Sequence, residues 1–188
     1  MLSDRVKDLL ERIFMKNILL SALILISFNA LGEDAPADKN KSLKNYSKIG
    51  INNKFMVTNS QGSGLLYGWR YINYNSEKFF LGGAGYTGQV YSGTTASSFT
   101  YGGLMAGYDW HFGTSGKKIE LAVLIGSGIG SNTTKTSGGM LIEPSISYSM
   151  SLGERTKANL GTSYLYIPGS EDFRGFSVGF TFDILYNN

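Results

Sequence analysis

The chain has 188 residues, enough for one domain or for one domain plus a targeting segment. Only 16% are charged, while 42% are hydrophobic, 13% aromatic and 25 are glycine, roughly twice the usual ~7%, which argues against a disordered chain and for strands and turns over surface helices. The formal charge of +3 comes with no basic stripe interleaved with aromatics, so nucleic acid is not an expected partner, and the lack of cysteine excludes a disulfide scaffold, a thiolate zinc site and a lipid-anchoring cysteine.

Residues 1–14 set Leu2, Val6, Leu9, Leu10, Ile13 and Phe14 among Arg5, Lys7, Glu11 and Arg12 at helical spacing. That reads as an amphipathic surface helix or as a non-native upstream extension with Met15 the true start, and the second is preferred. Over 15–32, Lys16 precedes an apolar run from Ile18 to Phe28, and Ala30 and Gly32 give a small-x-small exit. This is the pattern of a signal peptide cleaved after Gly32, too short for a comfortable helical span. Residues 33–47 are polar and are expected to form a flexible lead-in to a barrel over 48–188.

From Lys48 onward, eight segments of alternating polarity follow. Lys48 to Val57 opposes Ile49, Ile51, Phe55 and Val57 to Gly50, Asn52 and Lys54; Gly64 to Tyr74 opposes Leu65, Tyr67, Trp69 and Tyr71 to Gly68, Arg70 and Ile72. In Lys78 to Tyr91 both faces carry glycines and aromatics, and Phe80, Ala84, Tyr86 and Val90 are placed outward. A small-residue loop is expected over Ser92 to Ser98. Phe99 to Phe112 then sets Leu104, Ala106, Tyr108, Trp110 and Phe112 against Met105, Asp109 and His111.

Lys118 to Gly130 alternates Ile119, Leu121, Val123, Ile125 and Ile129 with Glu120, Ala122 and glycines; after a polar loop, Met140 to Leu152 alternates apolar residues with Glu143 and serines. Pro144 lacks a ladder donor, so a bulge or local bend is expected there. Lys157 to Ile167 carries Leu160, Thr162, Tyr164 and Tyr166 on one face, and Arg174 to Tyr186 carries Phe176, Val178, Phe180, Phe182, Ile184 and Tyr186. By these boundaries the connections after even-numbered segments are short and the others reach about six to eight residues, the up-and-down pattern of a membrane barrel.

Two solvents compete for the apolar face. A soluble barrel binding an apolar ligand would turn it inward, leaving an outer surface of Ser and Gly with hardly any charge. A transmembrane barrel turns it to lipid, where an outward Lys or Arg near mid-membrane costs roughly 2 to 4 kcal/mol. Lys54, Arg70, Asp109, Glu120, Glu143 and Asp183 all share the other face, which favours the membrane arrangement. Trp69, Tyr71, Tyr108, Trp110, Tyr164 and Tyr166 are then expected toward strand ends as interfacial aromatics.

The signal peptide, the eight alternating segments and the final Phe176, Val178, Phe180, Phe182 and Tyr186 resemble the eight-stranded outer-membrane β-barrel proteins of Gram-negative bacteria, of the OmpA and OmpX kind. The resemblance covers about residues 48 to 188. It implies an all-β, eight-stranded antiparallel up-and-down transmembrane barrel in the bacterial outer membrane, monomeric, surrounded by outer-membrane lipid. It also implies recognition of the last strand by the barrel-assembly machinery; members of the class usually end on an aromatic, whereas here Asn187 and Asn188 follow Tyr186.

Chemistry is sparse. Asp109, His111 and Glu120 are expected as an interior polar cluster, and Lys54, Arg70 and Glu143 as an interior ion-pair network in which Glu143 bridges the two bases, because buried charges must be paired. The alternatives are a lipid-modifying barrel enzyme built on His111 and a small-ion path through the charges. No catalytic residue, metal or cofactor is assigned. The expected role is structural or surface-interacting.

Overall fold

The computed structural model describes residues 46–60, 62–112, 117–131, 136–168 and 173–187. The upstream extension and the signal peptide lie outside the described residues, as does all of the polar lead-in but Tyr46 and Ser47. Eight strands follow one another: β1 (Tyr46–Thr58), β2 (Ser63–Tyr74), β3 (Phe79–Ser92), β4 (Thr95–His111), β5 (Lys118–Ser131), β6 (Thr136–Ser151), β7 (Thr156–Leu165) and β8 (Gly175–Asn187). Each pairs antiparallel with its chain neighbour, and β1 pairs with β8 from Tyr46 opposite Asn187 to Thr58 opposite Gly175, closing the barrel.

The period-two pattern explains which way each strand faces. Along β8, Phe176, Val178, Phe180, Phe182, Ile184 and Tyr186 are exposed on the outside, while Ser177, Thr181 and Asp183 are buried in the lumen. Large apolar residues on β1, β2, β5 and β6 also point out, so the inside-out arrangement of a soluble ligand-binding barrel is not adopted. Closure leaves the β1 and β8 ladders satisfied, as an apolar solvent requires.

Four details differ from expectation. In β3, Phe80, Ala84, Tyr86 and Val90 are buried inward, and Phe79, Leu81 and Tyr91 face out. The run Gly82 to Gly85 carries almost no side chain, so two adjacent aromatics, Phe79 and Phe80, left the phase open; what fixes it is the lumen's demand for ring volume. Secondly, β1 begins at Tyr46, inside the expected lead-in, because Tyr46 stacks on Tyr74 with centroids 4.2 Å apart.

Thirdly, Ser92 to Ser98 is not a loop: Ser92 pairs with Thr95, and only Gly93, at φ 60°, and Thr94 turn the chain. Serine and threonine extend the hairpin there, so the connections after β1, β3, β5 and β7 span four, two, four and nine residues, and those after β2, β4 and β6 four, six and four. Connection length therefore does not alternate. Fourthly, Pro144 makes no bulge. It stays in register opposite Val123 on β5, and its effect falls on the other side, where the β6–β7 ladder stops at Ser145 opposite Ser163 and returns only as a bridge between Ile142 and Tyr166.

Two apolar clusters cap the lumen. At the end bearing the β1–β2, β3–β4, β5–β6 and β7–β8 connections, here the loop end, Phe99, Tyr101, Leu141, Leu165, Ile167 and Phe173 pack together, with Phe99 and Phe173 stacked at 4.6 Å. Gly130 lies under the Phe173 ring, where any side chain would collide with it. At the opposite, turn end, Tyr46, Ile72, Tyr74, Phe80, Met105 and Leu185 do the same.

Candidate functional site in the barrel lumen

The charges run from the turn-end cluster, where Lys118 and Asp109 bond Tyr74, toward the loop-end one. Inward positions of β1 supply Lys48 and Lys54, β2 supplies Arg70, β4 Asp109, β5 Lys118 and Glu120, β6 Glu143 and β8 Asp183; all are buried. Four cations thus face four carboxylates, and the buried set is neutral as a whole.

Arg70 is the hub. Its Nε and Nη2 donate to Asp183 at 3.0 and 2.7 Å, and its Nη1 donates to Glu120 at 2.5 Å. The planar guanidinium suits this forked contact, which an ammonium could not reproduce. Lys48 adds a bond to Glu120 at 2.8 Å and lies 3.5 Å from Asp183, whose Oδ2 also accepts from Asn159 at 2.9 Å. Gly50 makes the room: a Cβ there would run into the Asp183 carboxylate and the Arg70 stem.

Lys54 forms a second centre nearer the loop end. It donates to Glu143 at 2.5 Å and sits 3.8 Å from the Tyr86 ring centroid, while Tyr101 and Ser163 donate to Glu143 at 3.1 and 2.5 Å. The third centre is Lys118 against Asp109, with Tyr74 donating to Asp109 at 2.6 Å and Lys118 to Tyr74 at 2.8 Å.

The sequence expectations redistribute on this geometry. Lys54 and Glu143 meet, but Glu143 does not bridge to Arg70. Arg70 shares a row with Gly50 and Asp183, whereas Lys54 lies four residues further along β1 toward the loop end. The cluster of Asp109, His111 and Glu120 does not form either. Asp109 and Glu120 are cross-strand neighbours with separate cations, and His111 is exposed at the end of β4, outside the lumen's hydrogen bonds. Lys48 and Lys118, unassigned on sequence, were legible from parity alone, since each continues the inward row of its strand.

Of the six aromatics expected at interfaces, Tyr108 packs edge-on against Phe79, Tyr164 against Phe176, and Tyr166 lies under Arg174 with its guanidinium 4.6 Å from the ring. Tyr71 and Trp110 face out. Trp69 does not lie toward a strand end: it falls midway along β2, its indole nitrogen beside Gly85 of β3. The bare glycine backbone leaves a hollow on the outer face that the indole covers.

An eight-stranded, closed, up-and-down barrel with apolar residues outside and paired charges inside is the architecture of the small outer-membrane barrels. Solved structures agree on the fold. The chain is similar to the N-terminal β-barrel domain of OprF from Pseudomonas aeruginosa at 15% identity, covering 75% of this chain and 97% of that one, with a TM-score of 0.56. Neisserial surface protein A aligns at 13% identity over 77% and 97% with a TM-score of 0.59, and OprG of Pseudomonas aeruginosa at 9% over 77% and 97% with 0.52. No protein-family model and no curated sequence matches the chain.

Proposed function

We propose that the protein is a non-conducting, monomeric outer-membrane barrel with a structural or surface-interaction role, secreted by its N-terminal signal and inserted by the barrel-assembly machinery. Its turn end faces the periplasm and its four loops face outward. One observation carries the proposal: cations from β1 and β2 are tied across the lumen to carboxylates of β5 and β6, with apolar rings capping both ends. An eight-stranded barrel is only wide enough to be filled by such side chains.

The fold likeness supports the membrane setting, and the mutual pairing of the eight buried charges supports the absence of an ion path. Lipid is then the partner of the outer wall. The test is single-channel recording on the refolded protein in planar bilayers alongside a heat-modifiability gel. A folded, heat-modifiable barrel with no unitary steps is expected; reproducible ion-selective steps would overturn the reading.

A further inference from the structure

Both prolines among the described residues fall on one seam. Ile142 and Tyr166 exchange two backbone bonds, N to O at 3.0 and 2.9 Å, which marks them as a hydrogen-bonded pair; positions two residues away in either direction must be hydrogen-bonding too. On one side that position is Pro144, facing Tyr164, and on the other, by continuing the register, it is Met140 facing Pro168. Neither proline can donate. The β6–β7 ladder consequently keeps only Ser145–Ser151 against Thr156's neighbours Lys157–Ser163 and then the lone bridge, whereas β1 and β8 pair along their whole length.

A cavity of about 50 Å³ lies against the same wall. Its lumen side there is Ser145, Ser147, Gly161 and Ser163, residues too small to fill the space, and it also touches Ile146 and Thr162, whose side chains face out. Two buried amide oxygens among its lining residues, Oδ1 of Asn52 and of Asn159, have no hydrogen-bond partner. They ask for donors. The buried charges around them cancel, so a neutral donor suits the site better than an ion. Along the axis, the Phe99–Phe173 stack lies toward the loop end and the Tyr46–Tyr74 stack toward the turn end.

We infer that the β6–β7 seam beside Pro144 is a lateral mouth, through which small neutral hydrogen-bonding solutes that partition into the surrounding lipid reach a polar lumen cavity. The volume suits a few waters, each needing about 10–15 Å³ of such space, donating to Asn52 and Asn159. Solutes of a few heavy atoms enter when the single Ile142–Tyr166 bridge opens.

The test is thiol labelling of the full-length, detergent-refolded barrel. Ser147→Cys places a thiol in the cavity, and methyl methanethiosulfonate is a small neutral probe. Labelling is expected, slowed at least tenfold when Pro144→Ala and Pro168→Ala restore the two donors. Equal labelling with and without the prolines, or no labelling of Ser147→Cys, would each overturn the inference. Hydrogen exchange on the unaltered protein gives an independent reading should the double proline variant fail to fold. The Ile142 and Tyr166 amides are expected to exchange at least tenfold faster than the mid-strand amides of the β1–β8 ladder, and equal protection counts against the mouth.

Discussion

Lys54 and Glu143 meet across the lumen at 2.5 Å, one from β1 and the other from β6, 89 positions apart in the chain. Both are buried, and Tyr101 and Ser163 complete the carboxylate's hydrogen bonds. Such a pair holds opposite walls at a fixed separation, and removing one member leaves the other charged and dry.

Glu143→Ala is therefore expected to lower stability by about 3 to 5 kcal/mol, the usual consequence of breaking a buried pair. The double variant Lys54→Met with Glu143→Leu is expected to recover most of that loss. Urea unfolding in lipid vesicles, followed by tryptophan emission, measures both; a Glu143→Ala barrel as stable as the parent would sink the assignment.

Arg70→Lys keeps the charge but loses the fork onto Asp183. The expected loss is about 1.5 to 3 kcal/mol, the worth of a hydrogen bond to a charged group. Arg70→Met in the same unfolding assay is expected to fall further, because Glu120 and Asp183 then share Lys48 alone.

The outer face makes its own prediction. Phe180 stands midway along β8 and faces out, so Phe180→Lys is expected to destabilise the vesicle-inserted barrel by about 2 to 4 kcal/mol. Phe176→Lys, one turn of pleating from the strand end, is expected to lose less, because the ammonium reaches the headgroups. Equal effects at the two positions would contradict a lipid-facing wall.

Orientation is checked by cysteine labelling on intact cells. Thr94→Cys, in the two-residue β3–β4 turn, is expected to react with a membrane-impermeant maleimide, and Gly153→Cys in the β6–β7 turn is not. Reaction of the second alone would invert the barrel.

How far the sequence carried these conclusions depended on side chains being present to read. β8 from Gly175 to Asp183 and β5 from Ile119 to Val123 alternate large apolar residues with small or polar ones, so which residues share a face can be read from the sequence. β3 failed at Gly82 to Gly85, where parity has nothing to act on, and the volume needed inside the lumen decided it. Ser92 to Ser98 looked like a loop because its residues are small and polar; pairing across the hairpin made them strand.

The lumen charges show the same division. That Lys54, Arg70, Glu120, Glu143 and Asp183 share a face follows from counting by twos. Which carboxylate each cation takes depends on how neighbouring strands are staggered, and no single strand encodes that. Glu143 was assigned Arg70 as a partner for this reason, although the Arg70 row and Lys54 lie four residues apart along β1.

The pairing of β1 with β8 imposes an order of events on biogenesis. Until Gly175–Asn187 has been made, β1 offers a bare row of amides and carbonyls, and Arg70 and Lys48 lack the Asp183 carboxylate they share. A shortened chain has both defects together. The barrel can therefore be neither edge-free nor electrically balanced before its last strand arrives, so the closing of its wall and the neutralising of its interior are one event.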